Sequence, residues 1–292
     1  MKKRWKIFWI VCACMGVIGA ACLLISFSMG VTIEAIEQRF PNGISIGKFE
    51  VENDGVEAED TDAHHIYEDI NELDIELTAG ELEIYVSDQP QIELVTERIS
   101  EKLKLKCYRD NDTLVIDSSD ISGNIIGNLG TVSLYLPENV VFAEASISVG
   151  AGTLYIEDIR AKELSVDVGA GEAVIDSFEA KEADFDCGAG ELTACGNVEK
   201  LVDLDCGMGK VDYTTYDREI DYNYNLSCGV GNIECGSHSC SGIGSDQKLD
   251  NHASKTMDID CGIGEVTISF EGEMTEEEFE YEEHMEDEEH HF

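Results

Sequence analysis

SVDVGAGEAVI (165–175) is one copy of a phrase that recurs through most of this chain. The others are SISVGAGTLYI (146–156), DFDCGAGELTA (184–194), DLDCGMGKVDY (203–213), NLSCGVGNIEC (225–235) and DIDCGIGEVTI (258–268), with a degenerate copy, DIELTAGELEI, at 74–84. The second glycines of four copies, Gly152, Gly171, Gly190 and Gly209, are each 19 residues apart, and Gly231 and Gly264 follow at 22 and 33. A fixed period with insertions confined to one region marks a solenoid in which each repeat is one coil, as if loops had grown between otherwise equal units.

With the second glycine as zero, apolar or small residues occupy −5, −3 and −1 before it and +2 and +4 after it. Period-two alternation makes each half a strand with one buried face. The inward parity slips by one at the glycine, which requires a bend or bulge. The pairs Gly150/Gly152, Gly169/Gly171, Gly188/Gly190, Gly207/Gly209, Gly229/Gly231 and Gly262/Gly264 therefore read as corners, where glycine accepts positive φ and close stacking on the next coil. The expected fold is all-β: a β-solenoid, β-helix-like, of 19-residue coils with Gly-x-Gly corners. A phosphate-cradling loop needs a helix after the glycines, but here a β-like run follows.

Outward positions are equally regular. Position −4 holds Glu76, Ser148, Asp167, Asp186, Asp205, Ser227 and Asp260, and position −6 holds Asp74, Ser146, Ser165, Asp184, Asp203, Asn225 and Asp258. In register, like charges would stand about 4.8 Å apart and destabilise the sheet unless neutralised. Lys162, Lys181 and Lys200 recur on the return leg as partial counter-charge. The columns read first as a solvated face that discourages aggregation. The sharper reading is a weak ladder for divalent cations through Asp186, Asp205 and Asp260, with calcium the ion that would suit carboxylates. The calcium-binding nonapeptide of toxin β-rolls is not matched, because Leu154, Ala173 or Leu192 stands where it has aspartate. No cofactor is expected otherwise.

The 292 residues carry 62 acidic against 19 basic side chains, a net charge of −43. That balance speaks against nucleic acid as a partner. Residues 1–6, MKKRWK, are a basic N-terminus. Residues 7–29, IFWIVCACMGVIGAACLLISFSM, are uncharged and long enough to span a bilayer as a helix. The flanking charges place the N-terminus in the cytoplasm and the remainder outside, as a single-pass cell-membrane protein. A cleaved signal peptide is the rival reading, and a lipoprotein signal at Cys22 is weaker, with Gly19 in the position such signals fill with leucine. Residues 30–65 read as an acidic juxtamembrane linker, 66–270 as the repeat domain and 271–292 as an acidic disordered tail with His284, His290 and His291. Within the domain, 66–138 form an N-terminal cap part and 139–270 the regular coils. Short alternating runs at 91–98, 102–108, 113–117 and 131–137 suggest an antiparallel cap.

Of 11 cysteines, Cys12, Cys14 and Cys22 lie in the apolar segment. Cys187, Cys206, Cys228 and Cys261 occupy −3 in successive copies and should form an inward column of reduced thiols. Side chains pointing the same way suit disulfides poorly, though the even extracytoplasmic count leaves them open. Cys235, His238 and Cys240 mix two thiols and an imidazole in one loop. They are weak metal candidates, since zinc takes four ligands. Tyr216, Tyr222 and Tyr224 in the first insertion suit either a contact surface or a cover for the solenoid side.

The apolar segment, LDIELTAGELEIYV (73–86), VSLYLPENV (132–140) and the repeated VGAG/CGAG corners together resemble the bacterial putative-adhesin β-strand-repeat family over about residues 66–270. The resemblance implies a surface-exposed, often membrane-anchored β-solenoid, found beside envelope-stress components in Gram-positive bacteria, with no catalytic motif to carry over. The expected function is a non-catalytic envelope protein, an adhesin or a scaffold for an envelope or surface partner. The alternatives are a calcium-responsive surface module and a carbohydrate-active β-helix enzyme. For the last, evenly repeated acids do not make the specific carboxylate pair that catalysis needs.

Overall fold

Alternation governs the strands. In the 16-residue strand Glu191–Cys206 buried positions recur at every second residue through most of its length, including Leu192, Ala194, Val202 and Leu204. The computed structural model describes residues 61–118 and 129–272, all within the unit Val56–Phe292. The apolar segment 7–29, the basic N-terminus, most of the linker and nearly all of the acidic tail lie outside the described residues. Among those described, no helix is long and apolar enough to cross a membrane.

The strands in chain order are β1 (Thr61–Tyr67), β2 (Glu72–Ser87), β3 (Ile92–Ile99), β4 (Lys106–Asp110), β5 (Thr113–Asp117), β6 (Thr131–Pro137), β7 (Phe142–Ile156) and β8 (Ile159–Val168). They continue as β9 (Glu172–Cys187), β10 (Glu191–Cys206), β11 (Lys210–Thr215), β12 (Tyr222–Cys228), β13 (Asn232–Cys235), β14 (His238–Ser241), β15 (Ser245–Leu249), β16 (Lys255–Cys261) and β17 (Glu265–Phe270). The segments before the glycine pairs form one parallel ladder, β2-β7-β8-β9-β10-β16-β12. Those after the pairs form another, β2-β7-β9-β10-β11-β17-β13. A short third ladder joins Ile159–Ala161, Phe178–Ala180 and Gly196–Val198 on the return leg.

The coils do not stack in chain order. The last copy in sequence, on β16 and β17, is inserted between the 203–213 copy and the 225–235 copy: Cys261 pairs with Cys206 on one side and Cys228 on the other. The chain leaves β11, crosses two coil spacings in residues 216–221, lays down β12 and β13, turns back through β14 and β15, and only then fills the gap. At about 3.3 Å per extended residue, six residues span two steps of about 4.8 Å easily. The same device appears at the other end. There β5 and β6 run parallel to β2 on its outer side, so the outermost described coil follows β2 in sequence and β7 returns to β2's inner side.

Both ends are then closed by antiparallel strands. β4 covers β5, and β3 covers β6 with β1 beyond it; β15 covers β12 and β14 covers β13. The cap near residues 66–138 thus contains a further parallel coil as well as antiparallel strands, and the 102–108 run is partly a 3₁₀ turn at Glu101–Leu103. Covering both edges removes the row of unpaired backbone groups that an open solenoid would present.

Buried apolar side chains form one continuous core. Position −5 contributes Ile147, Val166, Phe185, Leu204, Ile259 and Leu226, and +2 contributes Leu154, Ala173, Leu192, Val211, Val266 and Ile233, all buried. Each fully buried Leu, Ile or Phe contributes on the order of 1.5–3 kcal/mol. Tyr213 joins Phe178 and Phe185, with ring centroids 5.8 and 6.2 Å away. Tyr222 and Tyr224 are fully buried beside Phe270, while Tyr216 stays exposed. Two of the three insertion tyrosines therefore cover the core.

Two expectations about the corner are corrected. None of the paired repeat glycines from Gly150 to Gly264 has a positive φ. Their necessity is contact: a Cβ on Gly171 would lie 2.1 Å from the Gly152 carbonyl oxygen, and one on Gly190 2.3 Å from that of Gly171. Position −1 does not point inward either. Met208, Val230 and Ile263 are 67%, 62% and 64% exposed. The bend begins at the first glycine, so the residue between the pair sits on the apex and faces solvent.

Candidate functional site

The glycine corner divides the outer surface into two surfaces with different chemistry. On the strands before the corner, register aligns Asp167, Asp186, Asp205 and Asp260 in one column, closed by Ser148 and Ser227. A parallel column holds Asp184, Asp203 and Asp258 between Ser165 and Asn225. The two columns place seven carboxylates on neighbouring positions of one sheet. At the cap, β15 sets Asp246 opposite Ser227 and Lys248 opposite Asn225.

Their protonation reflects that crowding. Partial burial pushes the Asp205 carboxyl up to about 6, with Asp260, Asp203, Asp186 and Asp184 adding repulsion. Asp184, Asp186, Asp203 and Asp260 are also raised, first by desolvation and then by neighbouring aspartates. On the return leg Lys181 Nζ lies 3.6 Å from Glu182, and Arg160 Nε lies 3.5 Å from Asp158 and 3.6 Å from Glu179.

Asp186, Asp205 and Asp260 are thus brought together as strand neighbours, yet among the described residues no group of three or more His, Cys, Asp or Glu is placed to hold a metal ion. A column of single carboxylates offers a cation diffuse attraction rather than the six to eight oxygens of a calcium cage. The structure distributes Cys235, His238 and Cys240 among different partners. Cys235 is buried and its thiol pushed up to about 12. His238 lies 3.4 Å from Glu219 with its ring tilted against that of Tyr224, and Cys240 Sγ lies 3.3 Å from the Ser245 carbonyl.

The pH consequence follows from linkage. A carboxyl whose folded pKa is raised binds its proton more tightly in the folded chain, so folding gains stability as pH falls toward the ordinary carboxylate range near 4. That gain is lost as pH rises through about 6. The melting temperature should therefore rise by about 2–4 °C between pH 7.5 and pH 5, a modest shift because water screens these half-exposed groups. Asp205→Asn should raise it at pH 7.5 and flatten the slope. Scanning calorimetry across that window checks both, and a flat or falling profile contradicts the repulsive ladder.

The cysteine column is present, in the spatial order Cys187, Cys206, Cys261, Cys228, continuing Leu77, Val149 and Val168. All four are buried free thiols. The Cys206 thiol lowers Cys187 to about 7, and Cys206 itself is raised. Their nearest use is packing. A Cβ on Gly209, Gly264 or Gly231 would also come within 3 Å of Cys187, Cys206 or Cys261 Sγ, so each thiol fills the space above the next coil's glycine.

Sequence reasoning missed the second surface. The apex residues stack with the coils. The Ile263 amide donates to the Gly207 carbonyl and the Val230 amide to that of Gly262, placing Met208, Ile263 and Val230 in a row. A further Gly-x-Gly, Gly242-Ile243-Gly244 between β14 and β15, extends it: the Gly244 amide donates to the Gly229 carbonyl, and Ile243 is 90% exposed. Beside this ridge runs an open groove of about 910 Å³ floored by Gly171, Gly190, Gly209, Gly264 and Gly231. The sequence signal was the growth of the apex residue from alanine to Met, Ile and Val.

Such a molecule is a stacked β-repeat protein whose outer faces are written by repeated positions. The chain belongs to the Toastrack DUF4097 family, whose model matches residues 70–282. Among solved structures it is similar to a putative cell adhesion protein from Clostridium sporogenes, at 15% identity over 73% of this chain and 100% of that one, with a TM-score of 0.41. It is also similar to a putative adhesin from Bacteroides fragilis, at 12% identity over 71% of this chain and 97% of that one, with a TM-score of 0.33. Among curated proteins no match is found.

Proposed function

We propose that this chain is a non-catalytic binding rod of the cell envelope, anchored by residues 7–29 with its basic N-terminus in the cytoplasm and its repeat domain outside, where it acts as an adhesin or a scaffold. The observation that carries this reading is the nature of the surface. Its chemistry comes from columns of one residue type along the coils, a form suited to laying down an extended partner rather than positioning one reacting bond. The uncharged 23-residue run 7–29 and the flanking Lys2, Lys3, Arg4 and Lys6 support the anchor and its orientation.

Protease treatment of intact cells, followed by carbonate extraction of membranes, tests the placement. The repeat domain should be cleaved from outside and the N-terminal fragment should stay with the membrane. Release of the whole chain into the soluble fraction would refute the anchor. Turnover of an envelope polymer by the purified chain would refute the non-catalytic role. In-cell crosslinking separates the two roles: capture of a membrane protein favours a scaffold, and capture of wall polymer or host-surface material favours an adhesin.

A second reading, a cation-responsive module, is favoured by the raised carboxyls of the Asp columns. A melting temperature unchanged between chelator and millimolar calcium would remove it.

A further inference from the structure

We infer that the corner ridge is a docking site for a cationic amphipathic polypeptide segment, whose apolar stripe lies on Met208, Ile263, Val230 and Ile243 and whose Lys or Arg side chains meet the carboxylates on either side. This deepens the reading of the chain as a binding rod and rests on it.

Three exposed apolar side chains on successive coils, continued by Ile243 in the cap turn, are unlike the scattered surface residues every protein carries. They follow Ala151, Ala170 and Ala189, which occupy the same apex position in earlier coils and are small and exposed. The apex therefore does not require bulk, and nothing in the fold uses the four large residues: their exposure runs from 62% to 90%. No described element covers them. The glycine floor beside them is flat because every second-glycine position excludes a Cβ. An adjoining backbone surface without side chains lets a bound segment approach closely.

The flanks select the occupant. After the corner the ridge coils carry Lys210, Glu265 and Asn232, with Lys210 engaged by Asp212 and by Glu191 at 3.6 Å, and the two preceding coils add Glu172 and Glu191 to the groove wall. Three residues before Met208 and Ile263 stand Asp205 and Asp260 on the outward side of their strands, with Asp186 in the coil before and Ser227 ahead of Val230. An apolar stripe with aspartates before it and a net acidic groove wall after it is complementary to a segment with an apolar stripe bordered by base. A second copy of this chain would bring two acid-flanked ridges face to face, which charge repulsion opposes. An anionic lipid surface is repelled by a chain of net charge −43. The repeat distance also fits: successive apex residues are about 4.8 Å apart, close to the 5.4 Å pitch of a helix laid along the solenoid axis. Three such steps, about 14 Å, match an apolar stripe of about ten helical residues.

The test is fluorescence anisotropy with the full chain in zwitterionic nanodiscs, empty nanodiscs serving as blank. The probe is a labelled Leu/Lys helical peptide of about 18 residues with its leucines on one face. Two comparison peptides keep one feature each: Leu/Glu keeps the stripe and Ser/Lys keeps the charge. The Leu/Lys peptide should bind with a micromolar dissociation constant at low salt, and the other two at least about tenfold more weakly. Met208→Ser with Ile263→Ser should weaken Leu/Lys binding about tenfold without moving the melting temperature, because both side chains are largely exposed. Equal binding by wild type and variant would overturn the ridge, as would Ser/Lys binding as tightly as Leu/Lys. Concentration-dependent self-association that the double substitution abolishes would make a second copy the occupant and overturn the proposal. If in-cell capture by the rod survives the substitution, the ridge assignment falls while the binding-rod reading stands.

Discussion

Gly171→Ala should lower the melting temperature by about 10 °C, a loss of about 3–5 kcal/mol from one added methyl group. The glycine has no left-handed backbone conformation to protect, so the usual reason for a glycine cost does not apply. What the methyl meets is the Gly152 carbonyl oxygen at 2.1 Å, with the same residue's carbonyl carbon and amide nitrogen at 3.0 Å. These are backbone atoms of a strand held by ladders on both sides and cannot rotate away as a side chain would. Relief requires the two coils to separate, and Gly171 also accepts the Glu191 amide at 2.9 Å, so the next coil moves too. Overpacking usually costs 1–3 kcal/mol where side chains can adjust; here the obstacle is the sheet itself. Ala170→Ser, one residue away on the exposed apex, should stay within about 0.5 kcal/mol. In a solenoid each coil contacts only its neighbours, so Gly231→Ala near the C-terminal cap should fray that end and give a smaller global shift. Calorimetry of the three variants checks the order, and a Gly171→Ala melt within about 2 °C of wild type would disprove the glycine column.

The inward face was legible because it is written twice. Each coil repeats the alternation, and each alternation is confirmed by the coil above it, so −5, −3, +2 and +4 could be assigned from Val166, Val168, Ala173 and Ile175 alone. What failed is where two physical rules cross. Alternation extended to −1 made Ile263 and Met208 inward residues, but a bend at the first glycine overrides strand parity. Those misread positions became the ridge. Coil order was also invisible. The 22- and 33-residue spacings of Gly231 and Gly264 fit loops of growing length as well as a crossing and a return. Only the pairing of Asp258 with both Asp203 and Asn225 distinguishes them. Stacking in register made the Asp columns readable, but not the turn of Cys240 toward Ser245 and of His238 toward Glu219.

That inverted order has a specific tie, and cutting it should cost about 2–3 kcal/mol. Asp217 lies in the crossing segment and Lys255 at the start of the inserted strand β16; Lys255 Nζ reaches the Asp217 carboxylate at 2.6 Å, with the two side chains 20% and 18% exposed. The Tyr222 hydroxyl donates to the same oxygen at 2.6 Å, and Lys255 lies 5.5 Å from the Tyr222 ring centroid. The Asp217 amide donates to Thr215 Oγ1, which in turn donates to Asn197. If the last two copies stacked in chain order, β16 would be the outermost coil, one strand spacing further from Asp217, and this contact would be lost. Lys255→Met preserves the aliphatic stem but leaves a largely buried carboxylate without its cation, which carries most of the penalty. Asp217→Asn leaves the ammonium with the Tyr222 ring and the more distant Asp221 carboxylate. The double variant removes both charges together and should cost less than the sum by about 1–2 kcal/mol, the signature of a coupled pair. Urea denaturation of the four proteins measures the cycle, and additivity within about 0.5 kcal/mol would show that the contact does not hold the order. Limited proteolysis separates local from global loss. In Lys255→Met, cleavage should begin between residues 214 and 257, where β12 to β15 depend on the inserted coil, while β7 to β9 keep their pairing on both faces.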